Sequence, residues 1–299
     1  MFDRIKIKKD AKAKLKGNYV VMLAAAFVLA GFSAAITFIS ARLGKPAGLL
    51  FSCFSFIVTA VITYAYVFLC VKTSKSDEPA KFSDFTEGLT HIRPAILGSL
   101  WEALFVILWE LVIIIPTFII ASVILASSIL KGMDLNNLED YLERMFSDSG
   151  SLFDGMTSAL SSTLIVALVI FLILVLFFVV FTIKKIQYSQ MPMILAENPD
   201  MSVRKAMRLS IEYTKGNKGN LFVFGLSFIG WILLAMLPSL IFARNAHFAY
   251  MNGTYTASPI FSILLAFLMP YINMAFVYAY YNVKQDAFDT GRVKEENIQ

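Results

Sequence analysis

Apolar residues run almost unbroken along six stretches of this chain, at 19–41, 47–71, 94–130, 161–183, 220–243 and 259–283. A hydrocarbon core about 30 Å thick needs roughly 20 such residues per helix. A soluble core could hide one or two runs of this length, but six would leave no polar face for water. The pattern predicts an all-α fold: a polytopic helical membrane protein with six transmembrane helices. The third run is too long for one upright span, since 37 residues make about 55 Å of helix. It is read as one kinked span at about 101–125, bent at Pro116 and entered through a helical stretch at the interface. Two spans hinged at Pro116 would make seven and put the termini on opposite sides.

Charge orders the loops. Of the 26 Lys and Arg residues, 21 fall in residues 1–18, the loops after spans two and four, and the C-terminal tail. The other three loops hold five. Basic loops stay on the cytoplasmic side, so both termini are expected there, in a cell membrane. The first apolar run, about 23 residues, exceeds the 7–15 of a signal-peptide core, and no cleavable signal is expected. Residues 131–160 then form an acidic outer loop with six acids against two bases. They lack the alternating oxygen ligands and central Gly of a calcium loop.

Two basic segments between the runs look alike. Lys16-Gly17-Asn18 leads into span one, and Lys215-Gly216-Asn217-Lys218 leads into span five. Upstream of the second, Val203, Ala206, Met207, Ser210, Ile211 and Thr214 share one helical face, with Arg204, Lys205 and Arg208 largely on the other. Asp200 or Ser202 is expected to cap this helix and Gly216 to end it. A degenerate counterpart is read at 82–91, with Ser83 as its cap. Each is expected to lie in the headgroup layer, turn at Gly-Asn, and dive through the bilayer. These cytoplasmic amphipathic helices, repeated ahead of the odd-numbered spans, complete a single membrane domain over 1–299.

Composition agrees with the class: 58% of residues are apolar and 16% charged, against about 25% charged in a soluble domain. The net charge of +5 lies in the cytoplasmic flanks, which suits anionic lipid headgroups and not nucleic acid. Cys53 and Cys70 stand about 25 Å apart along one helix and cannot pair. The only histidines, His91 and His247, fall on opposite sides of the membrane. No HExxH, GxSxG or phosphate-binding loop is present, so no catalytic, metal or cofactor site is expected, and no enzyme.

Polar groups inside the spans are costly in lipid and face the bundle. Glu102 and Glu110 lie eight residues apart, about 80° around a helix, and are the candidate intramembrane site with Asn273. Asn273 is expected to hydrogen-bond a neighbouring helix. In span five the small residues Gly225, Ser227 and Gly230 are expected to admit another helix closely, with Trp231 as bulk beside the gap.

The Ser227-Phe228-Ile229-Gly230-Trp231 sequence, the block 194–199 (Ile-Leu-Ala-Glu-Asn-Pro), and Ser210 ahead of Lys215-Gly216-Asn217-Lys218 resemble a bacterial integral membrane family, domain of unknown function 975. So do the Lys-rich opening, the stretch from Leu108-Trp109 to Ile115-Pro116, and Pro270-Tyr271 with 276–281 behind it. The resemblance covers the whole chain, although this sequence has Thr117 and about sixty inserted residues where the family continues with Gly, and Glu110 where it has a small polar residue. It implies a bacterial cytoplasmic membrane, that of a Gram-positive organism, and no activity. The expected function is a non-enzymatic scaffold or envelope-associated factor whose basic helices contact lipid, a protein partner or a second copy. The alternative is a small transporter or channel using Glu102 or Glu110.

Overall fold

The computed structural model describes residues 2–40, 42–43, 45–132, 168, 171–237 and 259–294. The acidic segment expected at 131–160, apart from residues 131–132, lies outside them, as do 238–243 of span five and most of the start of span four. Among the described residues there is helix and no strand, and six helices are long and apolar enough to cross a membrane. The protein is a multi-pass, all-α membrane protein. Two compact units divide it, residues 1–102 with 186–299 and residues 103–185.

In the larger unit the chain begins with α1 (Arg4–Leu15) and continues through α2 (Tyr19–Ser40) and α3 (Lys45–Lys75) to the short α4 (Phe82–Thr90). The helix α5 (Ile92–Gly132) starts here and passes into the second unit. After α6 (171–188) come α7 (Met191–Glu197), α8 (Val203–Thr214), α9 (Lys218–Leu226), α10 (229–237) and α11 (Pro259–Asp289).

α3 is the centre of this unit. Tyr64 through Val71 are all buried, because α2, α4, α7 and α11 all pack against this one helix. Elsewhere the large apolar side chains face outward: Val20 is 77% and Leu50 74% exposed. In water such a surface would aggregate, whereas against acyl chains it is the favourable one.

α5 is longer than expected. It is one helix of 41 residues with Pro116 inside it, where the sequence predicted one kinked span at about 101–125 entered through a helical stretch at the interface. Span five, expected over 220–243, is found over 218–237 among the described residues, with one tight turn at Ser227-Phe228 inside it. The Ser227 hydroxyl donates to the Phe224 carbonyl at 2.5 Å, and the Phe228 and Trp231 amides bond three residues back. A serine that competes for a helical carbonyl, next to a flexible glycine, tightens the turn in this way.

Candidate functional site

At one end of the larger unit the surface helices meet the ends of the spanning helices. α1 is capped by Asp3, whose carboxylate accepts the Ile5 and Lys6 amides at 3.0 and 3.1 Å. Its buried stripe is Ile7, Ala11 and Leu15, spaced four apart as an amphipathic helix requires. α8 buries Ala206, Met207, Leu209, Ser210, Tyr213 and Thr214. The sequence placed this helix in the headgroup layer. Its apolar face docks on α7 and α11, so protein covers it. Ser202 is the N-cap residue but makes no side-chain cap bond. Ser83 likewise lies inside the first turn of α4, which is preceded by Lys81.

The two Lys-Gly-Asn corners have the same backbone. Gly17 has φ +93° and Gly216 φ +85°, the left-handed region that glycine adopts without strain. The Asn18 amide bonds Leu15 O at 2.9 Å, and the Asn217 amide bonds Thr214 O at 3.0 Å. Each asparagine carbonyl then accepts the first bond of the next helix, from Met22 and from Leu221. Both side chains are buried and each is fixed by a distant segment. Asn18 Oδ1 accepts the Ala80 amide at 2.7 Å. Asn217 Nδ2 donates to Asp286 at 2.7 Å, and Asp286 also pairs with Arg292.

Glu197, at the end of α7, closes the polar end. Its side chain is 9% exposed and both oxygens are engaged. Lys75, ending α3, reaches Oε1 at 2.7 Å, and Lys284 of α11 reaches Oε2 at 2.6 Å. Tyr280 donates to the same Oε2. One carboxylate thus ties three helices together, and charge-assisted bonds are about twice as strong as neutral ones. Burial and the nearby Glu197 charge push the Tyr213 phenol of α8 up to about 12. Next to this clamp, Tyr64 donates to the Leu195 carbonyl at 3.0 Å. Ser210 donates to Gln187 O at 2.7 Å and accepts the Gln190 amide at 3.2 Å. The arrangement neutralises and holds; it offers Glu197 no oxygen for an incoming cation.

A family model described as a protein of unknown function, DUF975, matches residues 1–287. The chain belongs to this family. No curated protein and no solved structure matches it. The Ala196-Glu197-Asn198-Pro199 block that carries the clamp's acid and the two Lys-Gly-Asn corners all lie within the matched residues.

The residues singled out from the sequence are placed differently. Glu102 belongs to the larger unit, where it is half-buried. Glu110 belongs to the second unit, beside a crevice of about 10 Å³ lined with Val106, Trp109, Phe177, Phe181 and Lys184, and that space admits about one water. Lys184 lies 3.6 Å above the Trp109 ring. Among the described residues Asn273 bonds its own helix, donating to Met269 O at 2.9 Å, where a bond to a neighbouring helix was expected. A side-chain amide facing the preceding turn takes the nearest carbonyl. Gly225 does face another helix, with Phe276 3.9 Å from where a Cβ would stand. Gly230 has open space on that side among the described residues, and Trp231 is 57% exposed. Among the described residues nothing approaches within 4 Å of where a Gly230 Cβ would stand.

The sequence reading missed Glu197 as a site. Its signal was an acid directly after Ile194-Leu195-Ala196, with lysines ending spans two and six; those lysines were read only as topological charge. Among the described residues, no three His, Cys, Asp or Glu gather to hold a metal ion.

Proposed function

We propose that this protein is a non-enzymatic scaffold of a bacterial cell membrane, with its polar end and both termini in the cytoplasm. It presents the basic faces of α1 and α8 to anionic headgroups, and offers the same faces to a protein partner or a second copy. One observation supports this above others. Both helices bury their apolar faces in the protein, while Lys9, Lys12, Lys16, Arg204, Arg208 and Lys215 stay exposed. A helix docked in that way holds its cations at fixed positions, and each Lys or Arg near an anionic surface contributes about 1 kcal/mol.

The test uses the full chain in bilayers containing spin-labelled lipids. Phosphatidylglycerol is expected to be immobilised by the protein in preference to phosphatidylcholine, and about 0.5 M salt should erase the preference, since screening shortens its reach to a few ångströms. Equal immobilisation of the two lipids at low salt would remove the reading. The transport alternative draws on Glu110 beside Lys184. Purified protein that passes protons in vesicles, and loses that flux when Glu102 and Glu110 become Gln, would favour it.

A further inference from the structure

A groove of about 800 Å³ opens between α1 and α11, beside the turn that joins α9 to α10. That is within the roughly 300–1,000 Å³ of sites that hold small molecules. Its rim carries Lys9, Lys12 and Lys16. Lys9 and Lys12 stand about 60° apart on one face of α1, and Lys16 is the residue that follows its last turn. All three are exposed, and among the described residues no carboxylate pairs with them.

The facing wall is apolar, formed by Phe228, Trp231, Leu268 and Ile272. It continues onto the outward surface of the spanning helices, where Trp231, Leu234 and Phe267 are exposed. Two contacts keep rim and wall apart yet joined. The Lys8 ammonium stands 4.6 Å over the Phe228 ring, and the Tyr19 hydroxyl donates to the Phe267 carbonyl at 2.9 Å. The groove is thus built before anything enters it. Three exposed cations beside a hydrocarbon wall call for an anion that carries its own apolar chain. A free phosphate would satisfy the lysines and leave the wall bare, and an apolar segment of protein would do the reverse.

We propose that this groove seats one anionic phospholipid, with its phosphate among Lys9, Lys12 and Lys16 and an acyl chain along Trp231, Leu268 and Ile272. The assignment rests on the membrane-surface reading above and narrows it to a single site.

Native mass spectrometry of the full chain, extracted from bilayers with equal phosphatidylglycerol and phosphatidylcholine, counts the retained lipid. One phosphatidylglycerol is expected to survive conditions that strip phosphatidylcholine. Changing Lys9, Lys12 and Lys16 together to Gln should weaken it about a hundredfold, from the usual contribution per surface lysine. Trp231→Ala, which leaves every charge in place, should weaken it several-fold and serves alone if the triple variant does not fold. Arg204→Gln, Arg208→Gln and Lys215→Gln on α8 should leave it bound, and soluble glycerol phosphate should not displace it. Equal losses from the two charge variants would overturn the groove while leaving the general membrane reading intact. No loss from either would overturn both. Displacement by glycerol phosphate, or a groove variant that alters the mass of an oligomer and not the lipid count, would overturn the site as well.

Discussion

Glu197→Ala is the substitution that most directly weighs the polar clamp. It leaves Lys284, 20% exposed, and the Tyr280 hydroxyl without their shared acceptor, while Lys75, 48% exposed, turns to water. Removing one partner of a fully buried pair costs about 3–5 kcal/mol, and an exposed pair is worth about 0–1 kcal/mol. The burial on the Lys284 side therefore sets the cost at about 2–4 kcal/mol, with little of it from Lys75. Glu197→Gln retains an acceptor for Tyr280 and loses only charge, so it should cost less, about 1–3 kcal/mol. Lys75→Met should cost about 1 kcal/mol or less. The assay is SDS-induced unfolding of the detergent-solubilised chain, followed by far-ultraviolet circular dichroism. A double-mutant cycle joining Glu197→Gln to Lys284→Met should show coupling above about 1 kcal/mol, as for residues in direct contact. If Lys75→Met destabilises as much as Glu197→Ala, or the cycle shows no coupling, Glu197 is not the tie between α3, α7 and α11.

Gly88→Ala should destabilise by about 1–3 kcal/mol, as overpacking does, because the new Cβ would stand 2.8 Å from Ala65 Cα and 3.0 Å from its carbonyl oxygen. The same unfolding assay would instead read a gain of about 0.5–1 kcal/mol if helix propensity alone mattered. Asp84 gives a pH prediction. Burial raises its carboxyl, but Lys72 at 2.9 Å and the Lys81 amide at 3.0 Å outweigh that and hold it below the usual range. A lowered folded-state value means stability present above the ordinary aspartate value near 4 and lost as pH falls through the folded one. Wild type should therefore exceed Asp84→Asn in melting temperature above about pH 5, and the two should converge in stronger acid; a constant gap would refute the pairing.

The spans were legible because lipid imposes one requirement, an apolar run of sufficient length, and such runs are written contiguously. The corners were legible too, since Gly17 and Gly216 are followed by asparagine at the points where an apolar run begins. The face that α8 buries could be read from helical spacing through Ala206, Met207, Ser210 and Thr214. Which medium covers that face could not be read, because periodicity reports apolarity and says nothing of the partner. The turn inside span five coincides with the Ser227 hydroxyl bonding the Phe224 carbonyl, and Asn273 likewise takes a carbonyl of its own helix. Glu197 escaped notice for a different reason. Its partners lie at the ends of two other spans, and only the folded chain brings Lys75 and Lys284 to one carboxylate.

The paired corners bear on how the basic faces are aimed. At each, a glycine of positive φ and an asparagine that opens the next helix fix the surface helix against the span that follows it. The backbone bonds at the two corners are the same. What differs is the segment that holds each asparagine: the loop after α3 for Asn18, and the end of α11 for Asn217. The third surface helix shows the contrast. α4 joins α5 through His91, at φ −82° and ψ 57°, with neither glycine nor asparagine at the turn. Gly88 pressed onto the α3 backbone and the His91 ring 5.1 Å from Phe68 hold it instead. Its lysine partner, Lys72, is spent on Asp84 and Glu87, whereas the helices held by the glycine corners keep their outward cations exposed. The glycine corner and the exposed basic face occur together at α1 and α8, and neither occurs at α4.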